Sequence, residues 1–167
     1  VEELIGSDAA FGLSLGDIAF DDPSVHRPWN AAVGRIGIPW YSVAGNHDEN
    51  YDATDDRYAL ESFTSVYGPR YYAFNVGKVH FIGLDDVMWN PERKNYSAGL
   101  GADQVEFLKN DLALVPKDRL VVLTMHIPIN QIAEKDALFE LLKDRPHTLS
   151  ISGHTHFQAN RFLTARD

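Results

Sequence analysis

Apolar and polar positions alternate along this chain in short blocks. Phe11-Gly-Leu-Ser-Leu15 and Pro39 to Ala44 are brief apolar runs, each followed by glycine, and read as buried strands. Between them Asp21-Asp22-Pro23 opens a loop, and a helix is expected over roughly Trp29 to Arg35. Within Ala53 to Pro69, Leu60, Phe63 and Tyr67 fall at helical spacing, with Asp55 and Asp56 suited to the positive end of the dipole and Gly68-Pro69 as a stop. Tyr71 to Val76 and Val79 to Leu84 flank Gly77-Lys78, a two-residue hairpin loop whose leading glycine suits a type II′ turn. Asp85 to Leu100 is irregular, rich in Asn, Pro and Gly, and is expected to be a surface loop near strand ends.

Gly101, as N-cap with Gln104 three residues later, opens a helix whose buried stripe is Val105, Leu108 and Leu112. Leu120 to Met125 is almost continuously apolar, as a strand covered on both faces should be. Leu138, Leu141 and Leu142 mark a helix ending before Pro146, and Leu149 and Ile151 alternate with polar neighbours in the next strand. Phe157 to Thr164 reads as the start of one more strand, and Val1 to Ile5 as the last turn of a helix. Strands alternating with helices, plus one inserted hairpin, predict an α/β domain with mixed sheets.

Bulk composition changes this picture little. A chain of 167 residues suits one domain, and 44% hydrophobic with 23% charged residues is ordinary for a globular protein. No apolar run approaches the roughly 20 residues of a membrane helix, and nothing at the start reads as a signal peptide. The absence of cysteine excludes disulfide and thiolate chemistry and leaves the compartment open. The net charge of −9 weighs against nucleic-acid partners, which need clustered Lys and Arg. For an anionic substrate, bound metal ions would then supply the positive charge.

The chemistry gathers where the strands end. Phe11 to Leu15 runs into Gly16-Asp17, Pro39 to Ala44 into Gly45-Asn46-His47-Asp48, Leu120 to Met125 into His126, and Thr148 to Ser152 into Gly153-His154-Thr155-His156. Ligand sites in open α/β sheets lie beyond the carboxyl ends of the strands, so the four clusters point to one site. Asp17, Asn46, His126, His154 and His156 form a mixed oxygen and nitrogen donor set that suits zinc, manganese or iron better than calcium or magnesium. In extended backbone His154 and His156 point to the same side, each able to face a different metal, while Asp17 has two oxygens with which to bridge them. His47 is left as a general acid, and Asp48 as a group that fixes the tautomer of that imidazole or of another nearby.

In order and rough spacing, Gly16-Asp17, Gly45-Asn46-His47-Asp48, His126-Ile127-Pro128 and Gly153-His154-Thr155-His156 resemble the motifs of the calcineurin-like metallophosphoesterases, over most of the chain from Leu13 to His156. The resemblance implies a four-layer αββα sandwich with two mixed β-sheets. It implies hydrolysis of phosphate mono- or diesters of a small phosphorylated substrate by a metal-activated hydroxide. It implies two divalent or trivalent ions (Mn, Fe or Zn), with Asp17 bridging them. Asn46, His126 and His154 would complete one shell, His156 would bind the other ion, and His47 would contact phosphate and protonate the leaving oxygen.

The family's first motif, an Asp-x-His, is absent, so one metal keeps only Asp17 and His156. The expectation is therefore a fragment lacking the first strand and incomplete at both ends, possessing one or two metals. A non-catalytic scaffold or mononuclear metal-binding member is the alternative, and low basic content weighs against a nuclease. His26, His80 and His147 are expected to be surface or strand residues, and Trp29, Trp40 and Trp89 packing or pocket walls. Arg57, Arg93 and Lys94 are read as solvated surface. Asp85-Asp86 is expected to end a strand, with support of the site from behind as its other role.

Overall fold

The structure, a computed structural model, describes residues 1–163. Strand β1 (Gly12–Leu15) is followed by helix α1 (His26–Gly34) and by β2 (Trp40–Val43), which pairs with β1 in parallel, Leu15 opposite Val43. Two short helices, α2 (Asp56–Ala59) and α3 (Glu61–Tyr67), lead into a hairpin of β3 (Tyr72–Val76) and β4 (Val79–Gly83). Next come β5 (Val87–Asn90), β6 (Asn95–Ala98), α4 (Gly101–Leu114), β7 (Leu120–Thr124), α5 (Lys135–Leu142) and β8 (Thr148–Ile151). The sheets are β1-β2, a mixed sheet in the order β3-β4-β7-β8, and the antiparallel pair β5-β6. The architecture is mixed α/β. Helical crossovers make β1-β2 and β7-β8 parallel, whereas the hairpin makes β3-β4 antiparallel.

Alternation along the strands decides what packs where. Ile82, Val121 and Leu123 join Leu108 and Leu112 of α4 and Leu138 and Leu142 of α5 in the main core. Phe81, beside Ile82 on β4, points the other way with Phe74. There they meet Phe11 and Tyr41 of the first strand pair, with Tyr41 stacked on Phe74 at 3.7 Å between ring centroids. A smaller cluster of Ile18, Ala44, Leu60 and Phe63 packs the α3 region against the ends of β1 and β2.

Most boundaries fall within a residue or two of expectation. Gly77 has φ +56° and Lys78 is not in the left-handed region, consistent with the expected turn. Elsewhere the structure departs from the sequence reading. The single helix expected over Ala53 to Pro69 breaks at Leu60 (φ −106°, ψ 19°), although Leu60, Phe63 and Tyr67 still pack in one cluster as their spacing predicts. Helix α1 begins earlier than Trp29, at His26, and that imidazole is buried against Phe63 and Tyr67 rather than exposed. The region Asp85 to Leu100 is not an irregular loop: β5 and β6 form a hairpin that buries Val87 and Trp89. Gly101 is not the N-cap. Gln104 instead accepts from the Asp85 N–H and donates to the Leu100 carbonyl, tying α4 to the end of β4. Residues 157–163 form no strand, Thr164 lies outside the described residues, and the start of the chain is a single 3-10 turn at Glu2–Leu4.

Arg70 pins three of these pieces. Its guanidinium donates to the Asp85 carboxylate at 2.6 Å, to the Asp56 carboxylate at 3.0 Å and to the Asp56 carbonyl at 3.1 Å. Asp56 in turn accepts the Trp89 N–H at 2.7 Å, so α2, β5 and the end of β4 share one ion-pair cluster. Arg70→Met should leave Asp85 as an unpaired buried charge and cost about 3 kcal/mol in denaturant unfolding near neutral pH. Adding Asp85→Asn to the same chain should recover part of that loss.

Candidate metal centre

Parallel pairing is what assembles the site. Because β1 and β2 run together, Asp17 and Asn46 emerge side by side; because β7 and β8 do so, His126 and His154 also do. The two pairs are stitched at their ends. His126 Nδ1 lies 2.7 Å from the Leu15 carbonyl, and Gly153 N–H donates to the His126 carbonyl at 3.0 Å. A carbonyl can only accept, so Nδ1 of His126 carries a proton and, in the neutral ring, Nε2 presents its lone pair to the site.

Three further donor atoms crowd that lone pair. Asn46 Oδ1 and His154 Nδ1 are each 3.1 Å from His126 Nε2, and Asp17 Oδ1 is 3.3 Å away. Among the described residues, Asp17, His126 and His154 form the group of acidic and imidazole side chains whose ligand atoms lie within 4.8 Å of one another. Ligands held ~2.0–2.2 Å from one ion at tetrahedral to octahedral angles sit roughly 3.0–3.5 Å apart, which is the spacing here. A proton on Nε2 satisfies one of these three neighbours, whereas a metal cation satisfies all of them. The donors therefore fit a metal ion.

At Asp17 and His154 the electrostatics agree with that fit. Burial raises the Asp17 carboxyl, but the hydrogen bond and charge of His126 and the His47 N–H outweigh it and hold Asp17 below the usual carboxylate range. Burial, then the adjacent His126, lower the His154 imidazole and favour its neutral, ligating form. Burial also works to lower His126, yet its contacts with Asp17 and the Leu15 carbonyl raise it on balance.

The backbone is bent to make this arrangement. Among the described residues, the non-glycine positions with left-handed φ are Asp17, Phe20, Asp21, Lys94, His154 and His156, and all but Lys94 lie at or beside the site. Gly16 and Gly45 face each other beneath the donors. A Cβ at Gly16 would strike His126 Nδ1 and one at Gly45 would strike the Asp17 carboxylate, so neither position has room for a side chain.

The remaining expected residues divide. His47 stands at the rim with 39% of its side chain exposed, its N–H donating to Asp17 Oδ1 at 3.1 Å. His156 is exposed and outside the trio. Asp48 does not orient His47. It is fully buried, with Oδ1 accepting from the Ile18 and Ala19 N–H groups and Oδ2 from Gly45 N–H, each at 2.8 Å. An acidic side chain there satisfies backbone donors that the bend after Asp17 leaves without partners.

The carboxylate on His47 is instead Asp21, 2.7 Å from Nδ1. That hydrogen bond is the main reason the Asp21 carboxyl sits below its ordinary value. A carboxylate after a turn gives no periodic signal, so only coordinates reveal this partner.

Behind the site lie two carboxyls of different standing. Asp86, at the end of β4 beside β7, accepts the His126 and Ile127 N–H groups at 3.0 and 2.8 Å, the supporting role that its strand-end position suggests. Burial pushes it up to about 7. Glu49 carries no sequence signal. Both its oxygens are buried without a hydrogen-bond partner, and burial followed by the charges of Asp85 and Asp56 pushes it up to about 8.

A family model for calcineurin-like phosphoesterases matches residues 2–158. No curated protein matches the chain.

Because the folded protein holds the Glu49 proton more tightly than the unfolded chain does, the stability this lends is full below the ordinary value of 4.5 and lost as pH rises through about 8. Glu49→Gln keeps a neutral side chain at every pH. In urea titrations it should therefore gain stability relative to the parent as pH rises from about 5 to about 8.

Proposed function

The chain belongs to the calcineurin-like phosphoesterase family, and on that premise we propose that it hydrolyses phosphate mono- or diesters of a small phosphorylated substrate. Asp17, Asn46, His126 and His154 hold a metal ion in this reading. The observation that carries it is the crowding of three donor atoms around the lone pair of His126 Nε2. Mixed oxygen and nitrogen donors of this kind suit manganese, iron or zinc. When bound, the metal supplies a Lewis acid that polarises the phosphoryl oxygens and lowers the pKa of water. The facing contact of Phe11 and Tyr41 with Phe74 and Phe81, with α4 and α5 outside, supports the four-layer arrangement that the family resemblance implies.

The protein's own groups do the rest. His126 is fixed in the ligating tautomer by the Leu15 carbonyl and held from behind by Asp86. Asp48 keeps the Asp17 bend and the Asn46 turn in one rigid piece. His47 has Nδ1 engaged by the Asp21 carboxylate, which leaves Nε2 as the ring's proton-delivering end. Asp21 orients the ring so that a proton passes from it to the departing alkoxide.

Purified protein loaded with manganese should hydrolyse an activated aryl phosphate or diester. His126→Ala should lose the metal, read by inductively coupled plasma mass spectrometry, and activity with it. His47→Ala should retain the metal while kcat/KM on an unactivated ester falls roughly hundred- to ten-thousand-fold, the usual reach of a general acid. Unchanged activity in both variants would sink the assignment. The exposed position of His156, outside the trio, favours a second reading: one tightly held ion in a binding or scaffold protein. One metal per chain with no turnover of either ester would support it.

A further inference from the structure

Aromatic side chains stand around the donor cluster. Tyr96 meets His154 edge-on at 6.1 Å, and Tyr51 stacks on Trp89 at 5.1 Å while its hydroxyl donates to the Asn46 carbonyl. Both are committed to the protein on at least one side. Phe20 is different. The residue is 79% exposed, and its one ring partner among the described residues is His47, at 6.4 Å between centroids and 24° between planes.

Free aromatic surface of this size is costly to leave in water, and the backbone works to keep it there. Phe20 (φ +48°) and Asp21 (φ +68°) are consecutive non-glycine residues in the left-handed region. The strained pair is locked on both sides. The Ala19 N–H is held by Asp48, the Asp21 N–H by the His47 carbonyl, and the Asp22 N–H by the Ala19 carbonyl. The same lock that brings Asp21 to His47 therefore holds Phe20 over that imidazole with its other face open.

We propose that Phe20 is a specificity-determining residue: its open ring face, beside the imidazole that delivers the proton, stacks on a planar aromatic group carried by the leaving alcohol. The substrate class is a phosphoester of an aromatic or nucleoside alcohol. This deepens the hydrolytic reading of the same site and rests on it for the side from which the alcohol departs. Stacking of a base on an aromatic residue is tolerant of the base's identity, because every base has a π-face. The preference is thus for ring over no ring rather than for one base.

Two matched pairs test it with the manganese-loaded protein: adenosine monophosphate against ribose phosphate, and benzyl phosphate against cyclohexylmethyl phosphate. Within each pair the reacting group is similar and the aromatic ring is the difference. Hydrolysis gives the ratio of kcat/KM, and calorimetric binding of the corresponding phosphonates, with carbon in place of the leaving oxygen, gives the ratio of affinities. The aromatic member should be favoured by about fivefold or more, the lower end of what a stacked base contributes. Phe20→Ala should bring the ratio close to one, Phe20→Tyr and Phe20→Trp should keep it, and Phe20→Leu should lose most of it. An effect confined to one pair identifies nucleoside or simple aryl alcohols as the class.

A parent ratio near one in both pairs, or a ratio that Phe20→Ala leaves intact, overturns the proposal while hydrolysis itself stands. No turnover but Phe20-dependent phosphonate binding overturns the hydrolytic reading and keeps the stacking role. Neither turnover nor ring-dependent binding overturns both.

Discussion

The hydrogen bond from His126 Nδ1 to the Leu15 carbonyl is the constraint on which the rest of the site depends. It crosses from the end of β7 to the end of β1, so one imidazole both joins two sheets and selects its own tautomer. Everything that touches His126 serves that placement. Asp86 grips its backbone, Gly16 leaves space for its ring, and Gly153 brings the next histidine pair alongside. A donor that arrives already oriented loses little entropy on binding an ion, so rigidity here favours the metal binding proposed above.

The backs and the fronts of these strand ends obey opposite electrostatic rules. In front, Asp17 is partly exposed, faces imidazoles and is held ionised. Behind, Asp85, Asp86 and Glu49 are buried, and burial pushes them up to about 6, 7 and 8. Asp85 relies on Arg70 and Asp86 on two backbone N–H groups, whereas neither oxygen of Glu49 has a hydrogen-bond partner. A proton retained on Glu49 near neutral pH limits the negative charge stored beneath the donor cluster.

Much of this is legible in the sequence because the strands are short, apolar and closed by small or polar residues. Asp17, Asn46, His126 and His154 each stand just past an apolar run, and parallel pairing brings those positions together. Where sequence pattern misleads, a long-range contact has overruled a local one. Asp48 looks like a partner for its neighbour His47, but the bend after Asp17 leaves N–H groups that only a buried acceptor could satisfy. Gln104 looks like a capping residue and is drawn to the end of β4. The segment Asp85 to Leu100 has loop-like composition, yet the stacking of Trp89 on Tyr51 and its indole bond to the Ala53 carbonyl fold it into a hairpin. Asp21 and Phe20 depend on left-handed backbone at non-glycine residues, which no propensity argument anticipates.

Gly16 and Gly45, set face to face under the donors, carry a consequence for how such a protein can diverge. Their backbones form a floor with no slack, so the depth and shape of the pit are closed to gradual change by substitution. Variation in what the protein accepts is left to the walls: the turn bearing Phe20, the Tyr51 segment and the β5-β6 hairpin. One scaffold can in that way pass through many specificities while its innermost few ångströms stay the same.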